Sequence, residues 1–427
     1  MLESFLVSLV GLIDSLMVSS LGSYAIAAVG LTNQPKFIFL AVFLSLNVAV
    51  SAIVARRKGE GDRESANRVL MQAIMLVGIF TVILSIIGVV FARDIMKMAG
   101  AEADTIEYAT IYFQIIVGGM IFNVISMVIN AAQRGIGNTK IAMYTNITSN
   151  LVNVVFNYLL IGGNFGFPKL GVAGAAIATV IGTVCACVMS ILSLRKRENF
   201  VSLSCFKNWR FEKRTMKSIA NLGSSTLAEQ LFLRVGFMIF AIIVAKLGTN
   251  AFAAHQIGMN LLSISFSIGD GLSVACVAMV GQSLGKKRPD LAKIYGASCQ
   301  IVGLMGSFLL FLVFLFFGRG LFELFSNEKE ILDVSVTLSL LISVIVFLQI
   351  SQVIYSGCLR GGGDTKFVAF VSLISVTIFR PISAWVFCYP VGWGLIGVWI
   401  GLVIDQTLRF LMTSIRFKGG KWTKIRI

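Results

Sequence analysis

Arg134-Gly135-Ile136-Gly137-Asn138-Thr139-Lys140 returns as Arg360-Gly361-Gly362-Gly363-Asp364-Thr365-Lys366, 226 residues further along the chain. The same offset carries Leu21-Gly22 onto Leu247-Gly248, Ala27-Ala28 onto Ala253-Ala254, Gly59 onto Gly285 and Ala66 onto Ala292. An offset of 223 carries Gly171 and Gly174 onto Gly394 and Gly397. One spacing held across most of a half marks a duplicated unit. The repeated stretch itself reads as a turn between two helices. Gly137 and Gly363 suit the left-handed residue that ends a helix, and Asn138/Thr139 or Asp364/Thr365 can cap the next. A phosphate-binding loop would need a preceding strand and a different glycine-to-lysine spacing.

Composition sets the solvent. Of 427 residues, 57% are hydrophobic and 13% charged, where a soluble domain carries roughly 25% charged residues. This is the balance of a polytopic α-helical membrane protein. The short alternating strands of a membrane barrel are missing. A net charge of +16 raises the question of nucleic acid. The basic residues, however, fall in short loops between apolar runs, as the positive-inside rule requires, so no nucleic-acid partner is expected. Seven cysteines are scattered without a CxxC pair, and His255 is the single histidine. Neither a disulfide framework nor a zinc site is therefore expected. Glu3 stands where a secretory signal needs basic residues, so the start is not read as a leader.

The apolar runs predict twelve transmembrane helices at 2–21, 34–55, 69–92, 106–131, 141–161 and 171–194, then 216–245, 252–281, 294–317, 331–357, 367–389 and 391–415. Each reaches or exceeds the roughly 20 residues that cross the hydrocarbon core. The loops at 56–68, 132–140, 195–217, 282–293 and 358–366, with the tail 416–427, hold 26 Lys and Arg, and the intervening loops hold 6. Both termini are thus expected in the cytoplasm. The expected fold is an all-α polytopic bundle of two six-helix lobes related by a pseudo-two-fold along the membrane normal. Its parts are an N-lobe 1–194, a basic linker 195–215 expected to be mobile, a C-lobe 216–415 and a basic tail 416–427. Aligning the halves sets Glu3 opposite Glu229 although the second-half helix starts near 216, so the first helix is expected to have more of its start upstream of Met1.

Few polar groups fall inside these runs. Asp14 lies seven residues before Leu21, roughly 10 Å inside the outer end at 1.5 Å per residue. A carboxylate at that depth is expensive and reads as functional. Asn146, Asn150, Asn153 and Asn157 are spaced 4, 3, 4, which puts them on one helix face. Asn153 and Asn157 stand at about the depth of Asp14, and Thr179 on the next helix can add a hydroxyl. One carboxylate with amide oxygens suits a sodium ion at Asp14, Asn153 and Asn157, or a proton on Asp14. Interhelical hydrogen bonding is the competing role for these amides. In the second half, Glu229 is either a further protonatable group or an interfacial residue, and Asn150 and Asp270 are candidates to line a substrate cavity. Asp405 and Arg409, four apart, are expected to pair. Arg380-Pro381 is expected to mark a bend.

The stretches Asp14–Gly30 (DSLMVSSLGSYAIAAVG), Gly171–Thr179 (GVAGAAIAT), Leu247–Ile257 (LGTNAFAAHQI) and Val280–Lys286 (VGQSLGK), the two RGxG[ND]TK turns and the ending Arg416–Trp422 (RFKGGKW) together resemble the multidrug and toxic compound extrusion (MATE) family over essentially the whole chain. The resemblance implies a cation-coupled antiporter, driven by H+ or Na+ and needing no other cofactor. Such proteins export organic cations or amphipathic drugs across the cell membrane by alternating access. It implies further that Asp14 matches the family's first-helix acid and Asn153 its fifth-helix asparagine, while Asn157 stands where many members carry aspartate. Glu229 lies in the helix where some members place a functional glutamate. A monomer in the bilayer is expected. A flippase for a lipid-linked anionic precursor is the alternative, and it would want basic residues facing the cavity. An enzyme would need a clustered nucleophile and base, or metal ligands, and no catalytic residue is expected.

Overall fold

The computed structural model describes residues 17–18, 21–103, 105–195, 199–202, 212–326 and 328–425. In lipid, every backbone amide must find its partner within its own segment, so apolar runs of this length become helices. The described residues form α1 (Ser23–Glu60), α2 (Arg63–Val90), α3 (Ala92–Met98), α4 (Ile106–Gly118), α5 (Met120–Gly135), α6 (Thr139–Gly162) and α7 (Gly171–Ser193). There follow α8 (Lys213–Ala245), α9 (Thr249–Gly285), α10 (Pro289–Glu323), α11 (Lys329–Gly361), α12 (Thr365–Ser372), a π-helical segment (Leu373–Phe379), α13 (Arg380–Cys388) and α14 (Gly394–Lys418).

Among the described residues, nine helices are long and apolar enough to cross a membrane, and the pair α4–α5, bent by 45°, makes ten. α6 has the length of a span, 24 residues, but its row of asparagines lowers its hydropathy. Residues 1–16, most of the first expected span, lie outside the described residues.

Several expected boundaries move. α1 runs from Ser23 through Pro35, so the loop expected before residue 34 is helical. A proline costs one helix hydrogen bond, which membrane helices tolerate when neighbours re-satisfy the freed groups. The expected loop 56–68 shrinks to Gly61-Asp62. Gly61 takes φ 76 to end α1, and Asp62 caps α2 by accepting from Ser65 N at 2.9 Å. The Ser65 hydroxyl and backbone amide hold the Asp62 carboxyl below its usual range. The expected span 106–131 is broken at Gly119, where an added Cβ would lie 2.6 Å from Val180 Cγ2 of α7. The bend is therefore cut to fit the helix that crosses it. The linker expected to be mobile is pinned at 199–202. Arg63 Nη2 donates to Asn199 O at 2.8 Å, Asn67 Nδ2 donates to Phe200 O at 2.9 Å, and Ser202 N donates to Asn67 Oδ1 at 2.8 Å.

The chain forms two compact units, 2–221 and 222–427, divided within α8. In the first, α6 lies along α7, α5 packs on α1 and α7, and α4 on α7. In the second, α11 is central, flanked by α9, α10 and α14, and α13 lies along α14. The repeat is visible in local geometry. Gly137 and Gly363 have φ 90 and 88. Asn138 N donates to Gln133 O, and Asp364 N to Leu359 O, both at 2.8 Å. Gly22 and Gly248, which precede α1 and α9, have φ 114 and 103. The close approach repeats too. A Cβ on Gly135 would meet Ser51 O at 2.7 Å, and one on Gly361 would meet Val277 O at 2.8 Å. Ser51 and Val277 are themselves 226 apart.

The side-chain caps expected at these turns do not form. Neither Asn138 nor Asp364 makes a side-chain capping bond. Asp364 instead accepts from Arg416 Nε of α14 at 2.7 Å, because a guanidinium is a stronger partner than an amide. The ending motif closes over the same turn. Trp422 is fully buried, stacks on Phe417 with centroids 5.2 Å apart and donates from Nε1 to Phe417 O at 2.8 Å.

Gly361→Ala should lower the thermal midpoint of the purified protein, at a cost of about 1–3 kcal/mol from forcing a methyl against a carbonyl. Gly30→Ala, where an added Cβ meets nothing within 4 Å, should leave it unchanged or slightly raised. Equal midpoints for the two variants would remove the close-approach role of Gly361.

Candidate functional site

The first unit carries a polar row on α6 and α7. Two α7 glycines bring the helices together: an added Cβ on Gly174 or Gly182 would lie 2.6 Å from Leu160 O or Ser149 O. Small residues of this kind let membrane helices touch backbone to backbone. Thr179 stands between those two glycines, within reach of α6. Asn157 Nδ2 donates to Asn153 Oδ1 at 3.3 Å, Asn153 Nδ2 donates to Thr179 Oγ1 at 3.1 Å, and Thr179 Oγ1 donates to Ala175 O at 3.0 Å. Asn157 is fully buried, and Asn150 is half-buried a turn away. The expected grouping of Asn153, Asn157 and Thr179 is thus present, with the three side chains already linked to one another. Asp14 lies outside the described residues. Val18 is described, and it packs in an apolar cluster with Ile161, Val172, Ala175 and Ala176. Ile161 and Ala175 are each four residues from a member of the polar row.

A second network in this unit escaped the sequence reading. Asn130 Nδ2 donates to Thr145 Oγ1 at 3.0 Å, Ser190 Oγ donates to Asn130 Oδ1 at 3.3 Å, and the Ser126 and Ser190 hydroxyls are 2.9 Å apart. All four side chains are buried. They tie α5, α6 and α7 together. The available signal was Ser126 and Asn130, four apart on one face of an apolar run.

The second unit is charged inside. Glu229 on α8 is 1% exposed and accepts from Arg360 Nη2, the first residue of the repeated turn. The carboxylate expected to be either a protonatable group or an interfacial residue is held by a guanidinium 131 residues away. Asp270 of α9 is exposed and lies within electrostatic reach of Arg360.

The expected pair Asp405–Arg409 does not form. Arg380 Nη2 and Nε approach Asp405 Oδ2 at 2.7 and 3.0 Å, and Ser375 Oγ donates to Asp405 Oδ1 at 2.5 Å. Asp405 and Arg380 are 0% and 1% exposed. Sequence spacing alone favoured Arg409, but the local fold presents Arg380. Pro381 has no N–H and its ring crowds the carbonyl four residues back, and the chain before it widens into the π segment, whose bonds skip five residues. α8 seats on that segment, where a Cβ on Gly236 would lie 2.3 Å from Val376 O, and Thr377 Oγ1 donates to Phe232 O at 2.9 Å. The bend expected at Arg380-Pro381 is this π segment. The Arg380 guanidinium also covers the rings of Phe237 and Phe240 at 4.7 and 5.3 Å.

The MatE family profile matches residues 1–159 and 226–386, which together make up most of the chain. The chain belongs to the MatE family. Its relatives include the probable multidrug resistance protein NorM of Thermotoga maritima, 28% identical over 99% of this chain and 90% of the relative. Another is the uncharacterized transporter YisQ of Bacillus subtilis, 27% identical over 99% of this chain and 92% of the relative. A solved structure described as the outward-facing conformation of a multidrug resistance MATE family transporter of the MOP superfamily superposes with a TM-score of 0.91. It is 22% identical and covers 99% of this chain and 94% of its own. That likeness establishes the fold: an all-α polytopic membrane protein built as MATE transporters are.

Within this MatE chain, Arg380→Met should cost about 3–5 kcal/mol, because it strands Asp405 in an apolar interior. The double variant Arg380→Met/Asp405→Leu should recover most of that loss. Thermal unfolding of the detergent-purified proteins separates the two. A double variant no more stable than the single would mean that the pair does not act as a unit.

Proposed function

We propose that the protein is a cation-coupled antiporter of the cell membrane that exports organic cations or amphipathic drugs by alternating access, driven by H+ or Na+. The observation that carries this reading is the hydrogen-bonded row Asn157–Asn153–Thr179, set one turn from the cluster that holds Val18. Asp14 precedes Val18 by four residues, one helical turn in the span read from sequence. In this reading Asp14 supplies the charge and the amide and hydroxyl oxygens complete a site for a hard cation, or hold Asp14 while it carries a proton. Asn150 and Asp270 contribute to cargo binding. Glu229 acts as a second coupling group when its contact with Arg360 opens. The multidrug relatives, matched nearly end to end, support export as the direction and drugs as the cargo.

The mechanism follows from linkage. A coupling ion biases a two-state transporter only by its differential affinity for the two states. Occupation of the Asp14 site by the ion and occupation of the protein by cargo are taken to favour opposite states, so each displaces the other and the ion gradient pulls cargo outward. The basic loops and tail support a cytoplasmic position for both termini, and in this reading lobes 1–194 and 216–415 are joined by the linker 195–215. The protein acts as a monomer in the bilayer.

Proteoliposomes preloaded with a fluorescent organic cation and subjected separately to a sodium gradient or a pH gradient test this directly. Wild type should move the dye under one of the two gradients. Asp14→Asn should lose gradient-driven transport while inserting normally, and Asn157→Leu should weaken it at least tenfold, about 1.4 kcal/mol of lost ion binding. Wild-type rates in Asp14→Asn would sink the coupling assignment.

A further inference from the structure

Three arginines lie inside the second unit on three elements: Arg360 at the end of α11, Arg380 at the start of α13 and Arg409 on α14. Arg409 lies within electrostatic reach of Arg360, Arg380, Glu229 and Asp405. Two carboxylates are already engaged, Glu229 by Arg360 and Asp405 by the Arg380 fork and Ser375. Among the described residues, Arg409 makes no side-chain hydrogen bond or ion pair. Its Nε is buried without an acceptor, as are Arg360 Nε and Arg380 Nη1. Glu229 Oε2 and Gln406 Oε1 are also buried without a donor. Arg409 is thus a half-buried guanidinium whose fixed fork matches a carboxylate.

Depth makes an unpaired guanidinium costly. Arg409 is nine residues before Lys418, the last residue of α14, which is roughly 14 Å along the helix. A guanidinium at such depth needs a partner or water. Arg380 is closed off, 1% exposed and covered by two phenyl rings. Arg409 is only half-buried and so retains an open side.

We infer that Arg409 is an anion subsite that binds the carboxylate of an amphipathic cargo. This rests on the exporter reading for the word cargo, but binding to the subsite requires no transport. The cargo class it selects is amphiphiles that carry a carboxylate, zwitterions included, within the amphipathic drugs of that reading. A charge-assisted fork–fork contact of this kind discriminates sharply against an ester, which keeps the shape and loses the charge.

The test uses a zwitterionic rhodamine that carries a free carboxylate and the methyl ester of the same dye. Binding of each to the full chain in nanodiscs is followed by fluorescence polarisation, without any gradient. Wild type should bind the acid on the order of tenfold tighter than the ester. Arg409→Gln should bring the acid down to the ester's affinity and leave the ester unchanged. Arg409→Lys keeps the charge without the fork and should fall between them. Equal wild-type affinities, or an acid preference that survives in Arg409→Gln, would overturn the subsite. Should Arg409→Gln prove unstable, the wild-type acid–ester comparison and Arg409→Lys still decide. Selective binding without gradient-driven transport would uphold the subsite and refute the antiporter reading, and the converse result would do the reverse.

Discussion

A charge inside an apolar bundle must be answered within hydrogen-bond distance, and much of the second unit is arranged to meet that demand for Asp405. The carboxylate is fully buried. Its compensation comes from Arg380 and Ser375, which flank or lie within a π segment on the neighbouring helix. That segment is in turn kept open by Pro381 and received by Gly236 of α8. Replace any one of these and the others lose their reason: a regular α-helix would turn Ser375 and Arg380 through different angles, and a side chain at 236 would strike the Val376 carbonyl. Buried ion pairs are weak sources of net stability but fail badly when half removed. Here the pair fixes how α13, α14 and α8 register against one another.

The sequence made the large features readable because they repeat or because they are forced. Apolar runs in a chain this poor in charge leave only helices, and a glycine turn that recurs at one offset gives two turns of one geometry. The amide row was also legible. Asn153 and Asn157 are four apart on one helix and Thr179 lies in the next, so spacing and adjacency together implied contact. Partners across longer distances were not legible. Asp405 looked bound to Arg409 because i,i+4 neighbours on one helix face are the readiest pairing to see in a sequence, whereas the true partner depended on a local change of helix type. Asp364 looked like a cap, but Arg416, 52 residues away, reaches it first. Glu229 had no visible partner because Arg360 was read as part of a turn. Asp14, the residue on which the coupling proposal turns, lies outside the described residues, so its reading still rests on sequence.

The two halves share a backbone plan and differ in what they carry. Adding 226 to Asn146, Asn150, Asn153 and Asn157 gives Ser372, Val376, Phe379 and Ser383. The amide row is therefore absent from the second half, where the same stretch holds the π segment. The turn glycines, by contrast, keep both their left-handed backbone and their contacts, Gly135 on Ser51 and Gly361 on Val277. Positions set by backbone proximity match between the halves, and the four amide positions do not.

That ionic interior has a consequence at an energised membrane. A transmembrane potential acts on net charge, with about 2.3 kcal/mol at stake for each charge carried across 100 mV. Arg380 and Asp405 move together as a neutral dipole, so the field does almost no work on them. Among the described residues, Arg409 makes no ion pair of that kind. Any rearrangement that shifts α14 along the membrane normal does work against the field when the guanidinium is bare, and far less when an acidic molecule rides with it. Voltage would then distinguish an empty second unit from a loaded one.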